Sequence, residues 1–157
     1  MYHVSRDGNA MVDARSKGRQ GEYEAITYLQ LIVNSAFLDM GRLDPPELMR
    51  NLDQTRDGGA DVAGMEWCVV EVKRQEKLQL PRWWRQVLKA AEKSGGTPIL
   101  MWRQNRKPWC FKVRTGLVAG GWQTGEHVLD LDQDAFKDWF RLQVRWHYMN
   151  ENFSKED

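Results

Sequence analysis

The first clear hydrophobic pattern, between residues 17 and 38, has the period of an α-helix. Its apolar positions recur every three or four residues, which places them on one helical face. The residues of this face are Ala25, Ile26, Leu29, Ile32 and Val33. We expect the helix to begin near Lys17 and residues 1–15 to form a loose arm.

Short apolar runs in the middle of the chain predict β-strands. Segments 61–63 and 67–73 indicate two strands joined by a turn at Gly64. Segments 97–102 and 109–113 predict an antiparallel pair, because the residues between them are typical of a turn. The core of the fold should therefore contain a β-sheet.

Two more helices and one more strand complete the prediction. A helix over 81–94 is favoured because proline suits its first position and Gly95 can end it. Residues 127–131 predict a strand, and Asp132 can cap a last helix that carries Phe136, Trp139, Phe140 and Trp146. Segment 39–59 contains Pro-Pro and Gly-Gly and predicts an irregular excursion.

Length and composition fit a single α/β domain over residues 1–157, with a central mixed β-sheet flanked by helices. The chain is 41% hydrophobic, but no apolar run is long enough to cross a membrane. The N-terminus lacks the apolar segment of a secretory signal. Cys68 and Cys110 have no metal-ligand spacing and are expected to be buried free thiols, which suits a cytoplasmic protein.

The charge distribution points to an anionic partner. The net charge is only +1, but residues 71–114 hold twelve Lys and Arg against three Glu. The two flanking segments are each acidic. A localised basic region is typical of a phosphate-binding surface, although a solvated lysine-rich face would have the same composition.

Asp61, Glu71 and Lys73 form the central candidate site. Side chains alternate along a strand, so Glu71 and Lys73 should share a face while Val72 packs on the other. Two adjacent carboxylates repel each other, and a hard cation such as Mg²⁺ relieves that repulsion. The alternative is an exposed strand face with an incidental ion pair.

Two helices add polar residues to this site. Glu22 lies on the inward stripe of the first helix, where the helix dipole alone could also favour it, whereas Glu24 is expected to face solvent. Gly18 and Gly21 would allow a partner or phosphate to approach closely.

On the second helix, the predicted apolar face consists of Trp84, Val87, Leu88 and Ala91, which leaves Trp83 free. A separate stripe contains Arg82, Gln86, Lys89 and Lys93, with Arg85 alongside. This stripe can contact phosphate oxygens, or it can simply be solvated.

Three segments resemble the motif blocks of the PD-(D/E)xK nuclease superfamily. They are residues 17–22 (KGRQGE), 59–64 (GADVAG) and 69–73 (VVEVK). The similarity is greatest to archaeal-type Holliday-junction resolvases and covers about residues 16–114. A C-terminal strand and aromatic helix over about 126–150 follow this core.

The resemblance implies a restriction-endonuclease-like core and a role for each motif residue. Asp61 and Glu71 would bind Mg²⁺, or Mn²⁺ as a substitute, together with the Val72 backbone carbonyl. Glu22 would act on the metal through water, Lys73 would position the nucleophile, and Gln86 would be an accessory catalytic group. The residues expected to contact DNA are Lys17, Arg19, Arg74, Arg82, Arg85, Lys89 and Lys93.

The sequence thus predicts an intracellular Mg²⁺-dependent DNA endonuclease that cuts branched DNA as a homodimer. Two alternatives remain open: a restriction- or repair-type endonuclease acting on duplex DNA, and a non-catalytic DNA-binding protein with this fold. Candidate interface residues are the aromatics Trp139, Trp146 and Tyr148 of the last helix.

Overall fold

The computed structural model describes residues 7–52, 60–115 and 127–150, with side chains described for 14–52, 60–114 and 127–150. The helices are α1 (Asp7–Asp39), α2 (Leu80–Ser94) and α3 (Gln133–Asn150). The strands are β1 (Met49–Arg50), β2 (Val62–Ala63), β3 (Cys68–Arg74), β4 (Thr97–Arg103), β5 (Cys110–Thr115) and β6 (His127–Leu131). Within the described ranges, no helix combines the length and apolarity needed to span a bilayer.

The sheet is mixed, as the sequence predicted. Its strand order is β3-β4-β5-β6, so β3 and β6 are the two edges of the described sheet. β3 and β4 are parallel because α2 carries the chain from the end of one back to the start of the other. The pairs β4–β5 and β5–β6 are antiparallel, and β1 and β2 form a separate small antiparallel ribbon.

Helices cover both faces of the sheet. α1 and α3 pack on the face that receives Val70 and Val72, while α2 packs on the face that receives Val69. The alternation along β3 therefore places Glu71 and Lys73 on the α2 face. This confirms the expectation that these two residues share a face and that Val72 points away from them.

The beginning of α1 was predicted wrongly. The helix starts at Asp7, not near Lys17, so residues 7–15 are helical and not a loose arm. Ala14 and Arg15 have favourable helix propensities, which is consistent with a helix that extends upstream of Lys17. The expected apolar face is confirmed, with Ala25, Leu29, Ile32 and Val33 buried.

The apolar face of α2 is rotated by about one residue from the prediction. Trp83, Val87, Ala90 and Ala91 are buried, whereas Trp84 is only partly buried. Trp83 is therefore a core residue and is not available for stacking on DNA. The spacing of the apolar residues is compatible with either of two buried faces. Only the packing of the helix, which buries Ala90, distinguishes between them. The helix ends as expected, with Gly95 in the left-handed conformation at φ 75°.

The predicted cap and core of α3 are confirmed. Asp132 Oδ1 accepts a hydrogen bond from the Ala135 N–H at 2.8 Å, and Phe136 and Phe140 are fully buried. Tyr148 packs edge-on against Phe37, with the ring centroids 5.0 Å apart. Most aromatic residues of this helix therefore belong to the core.

Segment 39–59 contains the two-residue strand β1 at Met49–Arg50, and residues 53–59 lie outside the described residues. The turn at Gly64 is confirmed, with φ 110°. A Cβ at this position would lie 2.4 Å from the Glu47 carbonyl oxygen, so only glycine fits. Cys68 and Cys110 are free thiols as predicted, the first buried and the second partly buried. Burial raises the pKa of the Cys68 thiol.

Candidate active site

Asp61 lies along the outer edge of β3 and is held by two hydrogen bonds. Its backbone N–H donates to the Val70 carbonyl at 2.8 Å, and its Oδ2 accepts from the Val72 N–H at 2.6 Å. The N–H and C=O of one strand residue point to the same side, so the Val72 carbonyl is directed to this edge as well. The carboxylate and that carbonyl are thereby brought to the same edge.

Glu71 is almost completely buried beside Asp61, and two donors reach one of its oxygens. Lys73 Nζ lies 2.5 Å and Gln86 Nε2 lies 2.6 Å from Glu71 Oε1. Lys73 comes from the same face of β3, and Gln86 comes from α2. Among the described residues, Glu71 Oε2 and Asp61 Oδ1 accept no hydrogen bond. Each carboxylate therefore keeps one oxygen available for another ligand.

Burial is the largest cause that raises the pKa of both carboxyls, and the charge of a neighbouring carboxylate adds to each shift. For Asp61 the pKa is raised to about 7, first by burial and then by the charge of Glu71, against the opposing effects of Val72 N–H and Lys73. For Glu71 the pKa is raised by burial, while Lys73 counteracts the shift. A pair of buried acids with raised pKa values is typical of a functional site.

Glu22 approaches the same site from α1. Its charge also raises the pKa of Asp61 and of Glu71. Gly21 allows this approach, because a Cβ there would lie 2.9 Å from the Arg74 Cβ. The group that comes close to Gly21 is thus the end of β3, although a partner or phosphate was expected. Glu22 Oε2 accepts a hydrogen bond from Arg50 Nε at 2.5 Å.

These residues line one cleft of about 840 Å³. All five predicted catalytic residues are in its wall: Glu22, Asp61, Glu71, Lys73 and Gln86. The cleft also contains four of the seven basic residues expected to contact DNA: Lys17, Arg74, Lys89 and Lys93. The residues singled out from the sequence thus meet in one cleft, although they come from four separate segments of the chain.

Several basic residues differ from the prediction in position or in partner. Arg19, Arg82 and Arg85 are exposed but do not line the cleft. Arg74 lines the cleft, and its Nη1 donates to Glu24 at 3.1 Å. Glu24 also pairs with Arg103.

The expectation that Glu24 faces solvent was therefore wrong, because Arg74 and Arg103, at the C-terminal ends of β3 and β4, lie beside it. Lys17 pairs with Glu76 at 3.2 Å, and both residues line the cleft.

The donor set fits a divalent cation of the Mg²⁺ type. Carboxylate and carbonyl oxygens are hard ligands, and Mg²⁺ is commonly held by one or two carboxylates while it keeps several waters. Asp61, Glu71 and the Val72 carbonyl provide such a set, and a cation would relieve the repulsion that raises the carboxyl pKa values. No group of three or more His, Cys, Asp or Glu side chains in the described residues is arranged to hold a metal.

Sequence reasoning missed Arg50, Glu76 and Lys77. Glu76 and Lys77 line the cleft, and they could have been suspected because they closely follow Lys73. Arg50 had no such signal. It lies in the segment interpreted as irregular, and its contact with Glu22 spans 28 residues.

The mixed sheet, the buried acid pair and the adjacent lysine define the core of a PD-(D/E)xK nuclease. The chain belongs to the family described as "Phage putative PDDEXK endonuclease", whose model matches residues 59–149. That match includes Asp61, Glu71, Lys73 and Gln86, ends one residue before the end of α3, and leaves Glu22 outside.

One solved structure similar to this chain is Hjc, a Holliday junction resolvase from Archaeoglobus fulgidus. The two are 17% identical, the match covers 76% of this chain and 87% of that one, and the TM-score is 0.42. No curated protein sequence matches this chain.

Proposed function

We propose that this protein is a divalent-metal-dependent DNA endonuclease that cleaves branched DNA. The observation that carries the proposal is the buried Asp61–Glu71 pair, whose Glu71 is contacted by Lys73 and Gln86, in a cleft that basic residues also line. Burying two acids side by side is costly for the fold. A cation and a phosphate are the ligands that such an arrangement best accommodates.

The carboxylates would hold Mg²⁺ or Mn²⁺ through Asp61, Glu71 and the Val72 carbonyl, with Glu22 linked through water. A bound ion of this kind stabilises negative charge on a phosphoryl oxygen and lowers the pKa of water. The hydrogen bonds from Lys73 and Gln86 keep Glu71 Oε1 in place. The second oxygen of the same carboxylate, Oε2, would be available to hold the ion.

Glu22 and Lys73 would act on the reacting groups. Glu22 lines the cleft and would accept a proton from the attacking water. Lys73 Nζ donates to Glu71 Oε1 and lines the cleft, where it would orient that water and stabilise the charge developing on the phosphate. Both residues are mostly buried, with side chains 15% and 19% exposed, so bulk water screens them only in part.

The lysines of the cleft wall would contact the DNA backbone. Lys89 and Lys93 line the cleft from α2, and Lys17 lines it from α1. Contacts between lysine and phosphate fix the position of DNA but carry no base information. The cleft therefore favours selection by DNA shape over selection by base sequence.

The preference for branched DNA rests on the resemblance of the three motif blocks to the junction resolvases. A four-way junction needs two symmetric cuts, so the active form would be a two-fold symmetric dimer. Of the aromatic candidates for its interface, Trp146 is 52% exposed, with Leu142 and Met149 on the same helical stripe. The activity would be intracellular, where DNA is present.

The test is to incubate the protein with linear duplex, single-stranded, flap and four-way-junction DNA of matched sequence, with and without Mg²⁺. We expect Mg²⁺-dependent cleavage that is fastest on the junction. Faster cleavage of linear duplex would favour a restriction- or repair-type enzyme. Binding to all four DNAs without cleavage would contradict the proposal and support a non-catalytic DNA-binding protein.

A further inference from the structure

Arg50 lies outside every sequence motif, yet it contacts a candidate catalytic residue. Its Nε donates to Glu22 Oε2 at 2.5 Å, and the two side chains are only 22% and 15% exposed. Its guanidinium carbon also lies 5.5 Å from the centre of the Tyr23 ring. An ion pair on one side and an aromatic ring on the other fix the guanidinium group in one orientation.

The strand that carries Arg50 is connected directly to the acid pair. Arg50 pairs with Val62 in the β1–β2 ribbon, and the next residue, Asn51, donates its N–H to the Asp61 carbonyl at 2.9 Å. The Asp61 N–H in turn donates to Val70 of β3. A continuous series of backbone hydrogen bonds therefore fixes Arg50 relative to Asp61, although Glu22 belongs to a different element.

The charges explain why Glu22 needs such a partner. Its carboxylate lines the same cleft as those of Asp61 and Glu71, and like charges in one cleft repel one another. Lys73 balances the charge of Glu71, and it does not hydrogen-bond to Glu22. Without Arg50, repulsion would favour rotation of the flexible Glu22 side chain away from the acid pair.

We propose that Arg50 is a positioning residue that holds the Glu22 carboxylate toward the reacting water. The inference rests on the proposed function. Arg50 donates a hydrogen bond to Glu22 Oε2, whereas Glu22 Oε1 accepts no hydrogen bond within the described part of the chain. Because Glu22 lines the cleft, Oε1 is the oxygen available to accept a proton.

A double-mutant cycle with Arg50→Met and Glu22→Gln tests this role through single-turnover cleavage rates and DNA dissociation constants. Arg50→Met should slow cleavage about 10- to 100-fold and leave DNA affinity nearly unchanged. Glu22→Gln should slow it by about 10²–10⁴. The double variant should be no slower than Glu22→Gln, because Arg50 acts only through Glu22. Added guanidinium ion should partly restore Arg50→Met, and equal NaCl should not.

Arg42→Met is the matched control. Arg42 also pairs with a carboxylate, that of Asp44, and it does not line the cleft. Its loss should leave the cleavage rate unchanged. If Arg50→Met fails to fold, Arg50→Lys replaces it in the cycle. Arg50→Lys should slow cleavage in the protein that has Glu22 and should not slow it further in Glu22→Gln.

Two results would overturn the inference and are distinguishable. If the wild type cleaves DNA but the Arg50 and Glu22 effects multiply, Arg50 acts independently of Glu22, for example on a phosphate. In that case the inference about Arg50 fails and the proposed function stands. If the wild type cleaves no DNA, the proposed function fails and the inference fails with it.

Discussion

The backbone N–H of Val72 donates a hydrogen bond to the Asp61 carboxylate at 2.6 Å, across 11 residues of sequence. This contact fixes a buried acid against the free edge of β3, directly beside Glu71. A single backbone donor compensates only partly for the loss of solvent, so the Asp61 pKa stays raised, at about 7. The acid pair is therefore held in an electrostatically costly arrangement that a cation would relieve.

The first prediction concerns the pH dependence of stability without metal. The Asp61 carboxyl has an ordinary pKa of 3.8 and a folded-state pKa of about 7. Between these values the folded state keeps a proton that the unfolded state has lost, so the free energy of unfolding should fall as pH rises from about 4 to about 7. Urea denaturation in chelator at several pH values measures this decrease.

Asp61→Asn is the control for that measurement, because its amide oxygen can still accept the Val72 hydrogen bond but does not ionise. The difference in stability between the variant and the wild type should grow with pH until about 7 and then level off. Added Mg²⁺ should reduce the difference above pH 7 by stabilising the wild type. Parallel pH profiles for the two proteins would show that ionisation of Asp61 does not destabilise the folded protein.

The second prediction concerns the basic wall of the cleft. Lys89→Ala and Lys93→Ala should each weaken binding to all DNA sequences alike, because lysine contacts the phosphate backbone. Each lost contact should also flatten the dependence of log affinity on log salt by about 0.9. Lys137→Ala is the matched control, since Lys137 is an exposed helical lysine outside the cleft. Equal effects for all three lysines would indicate only a general charge effect.

The third prediction concerns Gln86, whose amide donates to the same Glu71 oxygen as Lys73. Gln86→Leu should weaken Mg²⁺ binding or slow cleavage by about 10- to 100-fold, as expected for loss of a group that orients a metal ligand. Gln86→Glu would place a further negative charge beside Glu71 and should raise its pKa. Calorimetric titration with Mg²⁺ separates the two effects, and unchanged binding and turnover in Gln86→Leu would exclude a role for this contact.

Local chemistry made much of this structure predictable from the sequence. The alternation of β3 gave the shared face of Glu71 and Lys73. Pro81 and Gly95 gave the limits of α2 to within one residue, and Asp132 gave the start of α3. The phase of α2 was not predictable, because Trp83 and Trp84 are both apolar and only packing chooses between them. Arg50 was not predictable either, because its role depends on a long-range contact with Glu22 made by a two-residue strand.

The fourth prediction concerns assembly. If the exposed stripe of Leu142, Trp146 and Met149 forms a two-fold interface, the wild type should sediment at twice the mass of one chain. Trp146→Ser should then shift the protein toward monomer and reduce paired cutting of a junction. Mixing wild type with Glu71→Gln should give heterodimers that nick only one strand. A monomer that still cuts both strands symmetrically would contradict the dimer.

The most direct test of the whole account is single-turnover cleavage of a labelled four-way junction by wild type and Glu71→Gln, in Mg²⁺ and in excess chelator. The account predicts cleavage only by the wild type in Mg²⁺, while Glu71→Gln still binds the junction with nearly wild-type affinity. Cleavage by the wild type in chelator, or by Glu71→Gln at a comparable rate in Mg²⁺, would contradict it.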